Sequence, residues 1–297
     1  MAFARRLLAT AGLAFGIALA SPHVTATEPA QSAHLLQDKL DTLRAELADN
    51  PFRRAIHLES RNSADRLVGE VHAVIDYPFA MVSASLAAPD NWCDILLLHF
   101  NVKYCASSAG TRGSRLTVGL GKKYEQTSGE VHAIDFLFRP LAREAGYFAV
   151  ELAAGKGPYG TRDYRFEIDA IPTTDGRTLL HLRYAYGFGL SGRLAMRGYL
   201  ATVGRDKRGF TVTGQTADGE PIYIQGVRGA IERNTMRYCL AVEAYLAGSS
   251  ALPAERREAR LRYWFDSTEQ YAHQLHEMSL EEYLASKRDA RAGHRGG

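Results

Sequence analysis

Leucines at positions 36, 40, 43 and 47 recur at four-and-three spacing and stop before Asn50-Pro51. This predicts one amphipathic helix within residues 27–50, because the residue preceding a proline is driven out of the helical region. Its leucine stripe should lie on the body of the protein. Between 54 and 75 the pattern becomes strand-like, with a turn at Asn62-Ser63 and alternation through Leu67, Val71, Ala73 and Ile75. Asp76-Tyr77-Pro78 breaks that strand, and Phe79, Val82 and Leu86 then fall at helical spacing. After the segment 89–98 come strand patterns at 102–105, 114–124, 131–138, 147–152, 164–171 and 178–188, separated by Gly, Pro, Ser or Asp. Consecutive strands with short connections imply an antiparallel meander. In the last of them Leu180, Leu182, Tyr184, Tyr186 and Phe188 form one broad apolar and aromatic face, leaving Ala185 on the face expected to point outward.

Helical spacing returns at 190–203, a short strand pattern follows at 221–227, and a long helix is predicted over 230–246. Beyond Gly248, Pro253 suits the first position of another helix, for which Leu261, Trp264, Phe265, Thr268, Ala272 and Leu275 make a continuous stripe. Ser279 followed by Glu282 forms a capping box for a last helix carrying Tyr283 and Leu284.

The first 26 residues are of another kind. Arg5 and Arg6 precede an apolar run over 7–20 that is too short for a permanent membrane span, as in a secretory signal peptide. Small residues allow cleavage after Ala20 or Ala26, the latter preferred, and no Cys follows the run to take a lipid. A periplasmic or secreted location is expected. No later stretch approaches the length of apolar sequence that a membrane helix needs. With 46% hydrophobic residues, 15 Tyr and 12 Phe, the chain can bury a sizeable core.

The net charge of +3 is carried largely by Arg5, Arg6 and the tail Lys287, Arg288, Arg291 and Arg295. A nucleic-acid interface, which needs a dense basic stripe on a folded surface, is not indicated. The tail allows transient contact with an anionic membrane surface, a solvated tail being the simpler account. Three cysteines in an exported chain suggest one disulfide and one thiol left over. Cys93 and Cys105 are the natural pair and Cys239 reads as a buried free thiol, although three cysteines formally permit every pairing.

Several motifs have ordinary readings. Gly155, Gly157 and Gly160 match G-x-G-x-x-G but contain Pro158 and precede a strand, so the segment reads as a hairpin loop without dinucleotide binding. Gly189-Leu190-Ser191-Gly192 misses the nucleophile elbow by one position. Cys93, His99 and Cys105 do not have zinc-site spacing, and neither a metal nor a cofactor is expected. His72 and His132 each lie in Gly-Glu-Val-His-Ala, a phrase repeated at 69–73 and 129–133 that reads as coincidence. Asp135 shares a strand face with Val131, Ala133 and Leu137 and is expected to point into an apolar region. Arg183, Glu232, Arg233, Arg237 and Glu243 are polar candidates for a ligand head group or for ion pairs.

The stretch Val71-His-Ala-Val-Ile-Asp-Tyr-Pro-Phe-Ala-Met-Val-Ser-Ala-Ser-Leu86, reaching Trp92, resembles the opening of the START-like helix-grip superfamily. The meander and the long helix follow in the same order, so the resemblance covers about 54–246. It implies an α+β fold in which a curved antiparallel sheet wraps a long C-terminal helix over 51–247, here with an extra N-terminal helix, an inserted helix at 190–203 and a helical extension with basic tail over 248–297. It also implies a hydrophobic cavity holding a lipid, sterol-like or polyketide-like molecule.

Phe136, Phe138, Leu182, Tyr184, Tyr186, Met236, Tyr238 and Leu240 would wall that cavity, with Arg183 and Glu243 as its polar contacts. The function expected is an exported carrier without catalytic residues, whose partner is a hydrophobic small molecule or lipid. Two alternatives stand beside it. One is an enzyme of the same fold, a cyclase or hydrolase with Asp135 or Glu243 as general base near Arg183. The other is an envelope assembly factor docking through its C-terminal helices.

Overall fold

The computed structural model describes residues 28–289 except 112, 122–130 and 203. The proposed leader, the second Gly-Glu-Val-His-Ala phrase in part, and Arg291 and Arg295 lie outside the described residues. Helix α1 (Pro29–Ala48) is followed by strands β1 (Ile56–Asn62) and β2 (Arg66–Ile75), then by helices α2 (Phe79–Leu86) and α3 (Pro89–Leu98). The meander comprises β3 (Val102–Ser108), β4 (Arg115–Leu120), β5 (His132–Arg143), β6 (Phe148–Lys156), β7 (Thr161–Pro172) and β8 (Thr178–Phe188). Next come α4 (Leu190–Ala201), the hairpin β9 (Val212–Gln215) and β10 (Pro221–Tyr223), and α5 (Gly226–Ala247). The chain closes with α6 (Arg256–Glu269), α7 (Ala272–Leu275) and α8 (Leu280–Asp289).

The eight large strands form one sheet in the order β1-β2-β8-β7-β6-β5-β4-β3, every neighbouring pair antiparallel. The two helices after β2 carry the chain from one side of the sheet to its far edge, from which the meander returns until β8 pairs with β2. Helix α5 packs against β1, β2 and β8, while α3 packs against β3, β4 and α5, so both ends of the sheet bend toward the helices. At Gly69 on β2 a Cβ would overlap the Thr235 hydroxyl of α5. Only glycine permits that spacing between helix and sheet.

The α1 stripe behaves as its periodicity predicts. Leu36, Leu43 and Leu47 are buried, and Leu36 joins Tyr147, Ala149, Ile171 and Leu179 in a small core on the outer face of the sheet. Asn50 ends the helix, its amide donating to the carbonyls of Glu46 and Arg54. Elsewhere the outer face is laced with ion pairs, Arg183 to Glu70 and Glu167, and Glu151 to both Arg139 and Arg165.

The C-terminal helices share the main core. The Trp264 indole donates to the Arg237 carbonyl, the Tyr283 hydroxyl to the Leu98 carbonyl, and the two rings stack at 5.1 Å. The capping box at Ser279 and Glu282 is formed in both directions. Three expectations are corrected here. Pro253 lies in a turn before α6 instead of at its first position, and the stripe 261–275 is broken at Gln270 and Tyr271 between α6 and α7. Lys287 is not part of a solvated tail. It is buried on α8, with Nζ donating to the carbonyls of His99 and Val102.

Candidate functional site

Period two on β8 sends Leu180, Leu182, Tyr184 and Tyr186 to the inner face and His181, Arg183 and Ala185 to the outer one. Opposite, α5 brings Met236 and Leu240, both fully buried, and Tyr238, half-buried, to the same level. Phe136 and Phe138 arrive from the inner face of β5. These side chains do meet, and they meet in direct contact. Tyr238 packs on Phe166 with ring centroids 4.6 Å apart and on Tyr184 at 5.3 Å, while Phe166 lies 5.1 Å from Tyr184. Rings at such distances are in van der Waals contact, so strand and helix are joined by an aromatic core at this level.

The hollow lies farther along, at the end of β8. A pocket of about 190 Å³ is lined by Tyr186 and Phe188 of β8, Thr161 of β7, Ala64 of the β1–β2 turn, Val227 of α5, and Gly192, Arg193, Met196, Arg197 and Leu200 of α4. Helix α4 forms its roof. Gly192 lets that roof come down on the turn after β6, since a Cβ there would meet the Phe188 side chain at 3.0 Å and the Tyr159 carbonyl at 3.3 Å. At 100° per residue, Gly192, Met196 and Leu200 fall on one side of α4, with Arg193 and Arg197 at its border. The lining is therefore apolar with a cationic rim. Arg193 is fixed by donating to the Ala64 carbonyl at 2.7 Å.

Of the expected wall, Tyr186 alone borders this pocket. The helix expected at 190–203 supplies its roof, although the expectation assigned that helix no part in binding. A signal for it was present, because Met196, Tyr199 and Leu200 recur at helical spacing immediately after the aromatic strand. Strand β9 was not foreseen, as residues 212–215 carry no alternation. Of the segment Gly155 to Gly160, Gly155 belongs to the end of β6 and residues 157–160 make the hairpin connection to β7.

The polar candidates do not converge. Asp135 is exposed on the outer face and accepts from the Thr117 hydroxyl at 2.6 Å, because Ile134, Phe136 and Phe138 take the inner face of β5. Arg183 is held on the outer face by Glu70 at 3.0 Å and Glu167 at 2.7 Å, which removes it from the inner cavity. Glu243 pairs with Arg54 at 2.7 Å, and burial holds its pKa above the usual carboxylate range against the opposing pull of Arg54. The pairing of Asp135 or Glu243 with Arg183 as a general-base site is thus not formed. Ala185 does face outward but is fully buried, shielded by its cross-strand neighbours Val68 and Arg165.

Cys93 and Cys105 are disulfide-bonded, joining α3 to β3, and Cys239 is a buried free cysteine. Among the described residues no group of His, Cys, Asp or Glu is arranged to hold a metal ion.

No family model and no curated protein sequence matches the chain. Solved structures do. Norcoclaurine synthase from Thalictrum flavum is 13% identical over 46% of this chain and 77% of that one, with a TM-score of 0.33. A protein of Thermus thermophilus is 11% identical over 45% and 81%, also at 0.33, and Ara h 8.0201 is 12% identical over 50% and 91%, at 0.30. At these values the molecule's own topology identifies the fold. A first strand leading into two short helices, a meander that returns to pair with it, and a long helix held by the sheet are all present. The chain has the helix-grip fold. Relative to that frame, β1 extends the sheet by one edge strand, α1 covers its back, and residues 190–223 are inserted between the last strand and the gripped helix.

Proposed function

We propose that the protein is an exported carrier of a hydrophobic ligand, bound beneath α4 rather than between Tyr184 and Tyr238. The observation that carries this reading is the apolar pocket of about 190 Å³ under a helix whose remaining surface is largely exposed. An apolar hollow of this order accepts a ring or a stretch of acyl chain. Roofing by one largely exposed helix provides a way in and out without opening the aromatic core. Export is supported by the leader pattern in residues 1–26 and by a disulfide, a bond that persists in oxidising compartments.

The test is a substitution that fills the pocket. Met196→Trp should abolish uptake of a fluorescent fatty-acid analogue while leaving the unfolding midpoint nearly unchanged, since Met196 is only half-buried. Undiminished uptake by Met196→Trp would refute the site. Mass spectrometry of the molecule that copurifies with the protein then identifies the natural ligand.

A further inference from the structure

Helix α4 has a second face. Leu190 is 73% exposed and Leu194 is 59% exposed, one turn apart on the side opposite Gly192 and Met196. Two leucines one turn apart on one helix face make a small contiguous apolar strip. The helix itself carries charge of one sign, and Asp65 and Asp163 near its N-terminus are paired with Arg162. Arg193 and Arg197 border the leucines, Arg205 follows, and no Asp or Glu occurs between 190 and 205. An apolar strip edged by arginines, on a helix that itself carries no carboxylate, is the pattern of a helix that lies in the plane of an anionic bilayer.

A second copy of the chain would be a poorer match for this face, because two such faces brought together would oppose their arginines.

We infer that α4 is a membrane-docking helix, with Leu190 and Leu194 entering the headgroup and acyl boundary of an anionic bilayer and Arg193 and Arg197 meeting lipid phosphates. This rests on the same helix as the carrier reading: Leu190 and Leu194 lie on the face away from the pocket, while Arg193 and Arg197 are shared with the pocket rim. Docking would set the pocket roof directly on the lipid surface, so that one helix carries both recognition of the bilayer and access to the pocket.

The experiment is flotation of the full-length protein with vesicles of phosphatidylcholine alone or of phosphatidylcholine mixed with phosphatidylglycerol, at low and high salt. The wild type should float with the anionic vesicles only, and high salt should weaken it by shortening the screening length. The Leu190→Ser/Leu194→Ser protein should lose about tenfold or more in vesicle binding through lost apolar burial. Because neither leucine borders the pocket, its uptake of the fatty-acid analogue in the absence of vesicles should be unchanged. Met196→Trp should show the reverse, floating normally without taking up the probe, so failure of docking and failure of the pocket are read separately. Equal flotation with neutral vesicles, or undiminished flotation of the serine variant, overturns the inference. So does a wild type that does not float but forms a dimer abolished by the serine substitutions, which would give the face to a second copy.

Discussion

The imidazole rings of His72 and His181 stack with centroids 4.4 Å apart and planes 14° from parallel, at positions directly paired between β2 and β8. The row continues on both sides. His57 of β1 is paired with His72, and Asp169 of β7 is paired with His181, 2.7 Å from its Nδ1. Helix α1 lies over this row, bringing Glu46 to within 2.6 Å of His57 and Lys39 to within 3.4 Å of Glu59, while Tyr147 of the β5–β6 turn donates to Asp169. Outward-facing Glu70 and Glu167 add negative charge near His181.

The two stacked rings titrate in opposite directions. Burial, then the nearby charge of His181, Lys39 and His57, pushes His72 down to about 2. For His181 burial also opposes the charge, but the Asp169 hydrogen bond and charge outweigh it and raise the pKa. A base with a lowered folded pKa contributes stability above its unfolded pKa, and that stability is lost as the pH falls below it. His181 contributes in the opposite sense, its share being complete at low pH and lost as the pH rises through its folded pKa. His99, buried beside Arg237 and Lys287, is depressed like His72. Stability should therefore fall as the pH drops below about 6.5, by up to about 1.4 kcal/mol per pH unit for each neutral histidine. Urea unfolding midpoints followed through that window check this, and His72→Gln should remove about one proton's worth of the slope. An unchanged slope in that variant would show that His72 takes up its proton in the folded state.

The Cys93–Cys105 bond closes a short loop, for which the loss of unfolded-chain entropy amounts to about 3 kcal/mol. Cys93→Ala/Cys105→Ala should lower stability by that order. Thiol labelling of the denatured, unreduced wild type should modify Cys239 alone. Modification of all three cysteines would mean that the bond does not form.

Tyr184→Trp separates core from cavity. With Tyr238 at 5.3 Å and Phe166 at 5.1 Å from its ring, Tyr184 has no room for added bulk. The substitution should cost about 1 to 3 kcal/mol through overpacking and leave binding of the fatty-acid analogue intact. A ligand loss at unchanged stability would instead return the site to the strand–helix space.

The frame of the fold was legible because each of its elements follows a period. The alternation from Leu180 to Phe188 named the inner face of β8, and the Asp76-Tyr77-Pro78 break located the passage from β2 into α2. The same alternation, applied strictly, already puts Arg183 on the other face from Tyr184, so a shared cavity was never compatible with the strand. Asp135 falls on the outer face because Ile134, Phe136 and Phe138 offer more apolar area to bury than Ala133 and Leu137 on its own face. The pocket was harder to see. Its wall is assembled from Ala64, Thr161, Met196 and Val227, residues distant in sequence and brought together only when β8 closes on β2. No local pattern encodes such a meeting.

The inserted segment after α4 is held by one buried carboxylate, and that anchor can be tested. Glu232 of α5 is fully buried, and its Oε2 accepts from the backbone N–H groups of Phe210 at 2.7 Å and Thr211 at 3.0 Å. Its Oε1 accepts from the hydroxyls of Ser60 at 2.6 Å and Thr211 at 2.8 Å, and Ser60 in turn accepts from Arg228 Nε. One side chain thus ties the insert to β1 and to the gripped helix. Gly209 lies so close that a Cβ there would meet Glu232 Oε2 at 2.5 Å, which leaves no room for a bulkier residue beside the carboxylate. Glu232→Ala strips four donors of their acceptor, two of them backbone N–H groups. A cost of about 3 kcal/mol or more follows from the unsatisfied groups alone. Glu232→Gln keeps the shape and one carbonyl oxygen for the backbone donors, and the two hydroxyls can rotate to accept from its amide, so its cost should be markedly smaller. Because Lys207 and Arg208 precede the anchored residues, trypsin should cut the Ala variant there much faster than the wild type, with the Gln variant close to wild type. Equal cleavage of all three proteins would mean that the insert is held by its other contacts and that Glu232 is not its anchor.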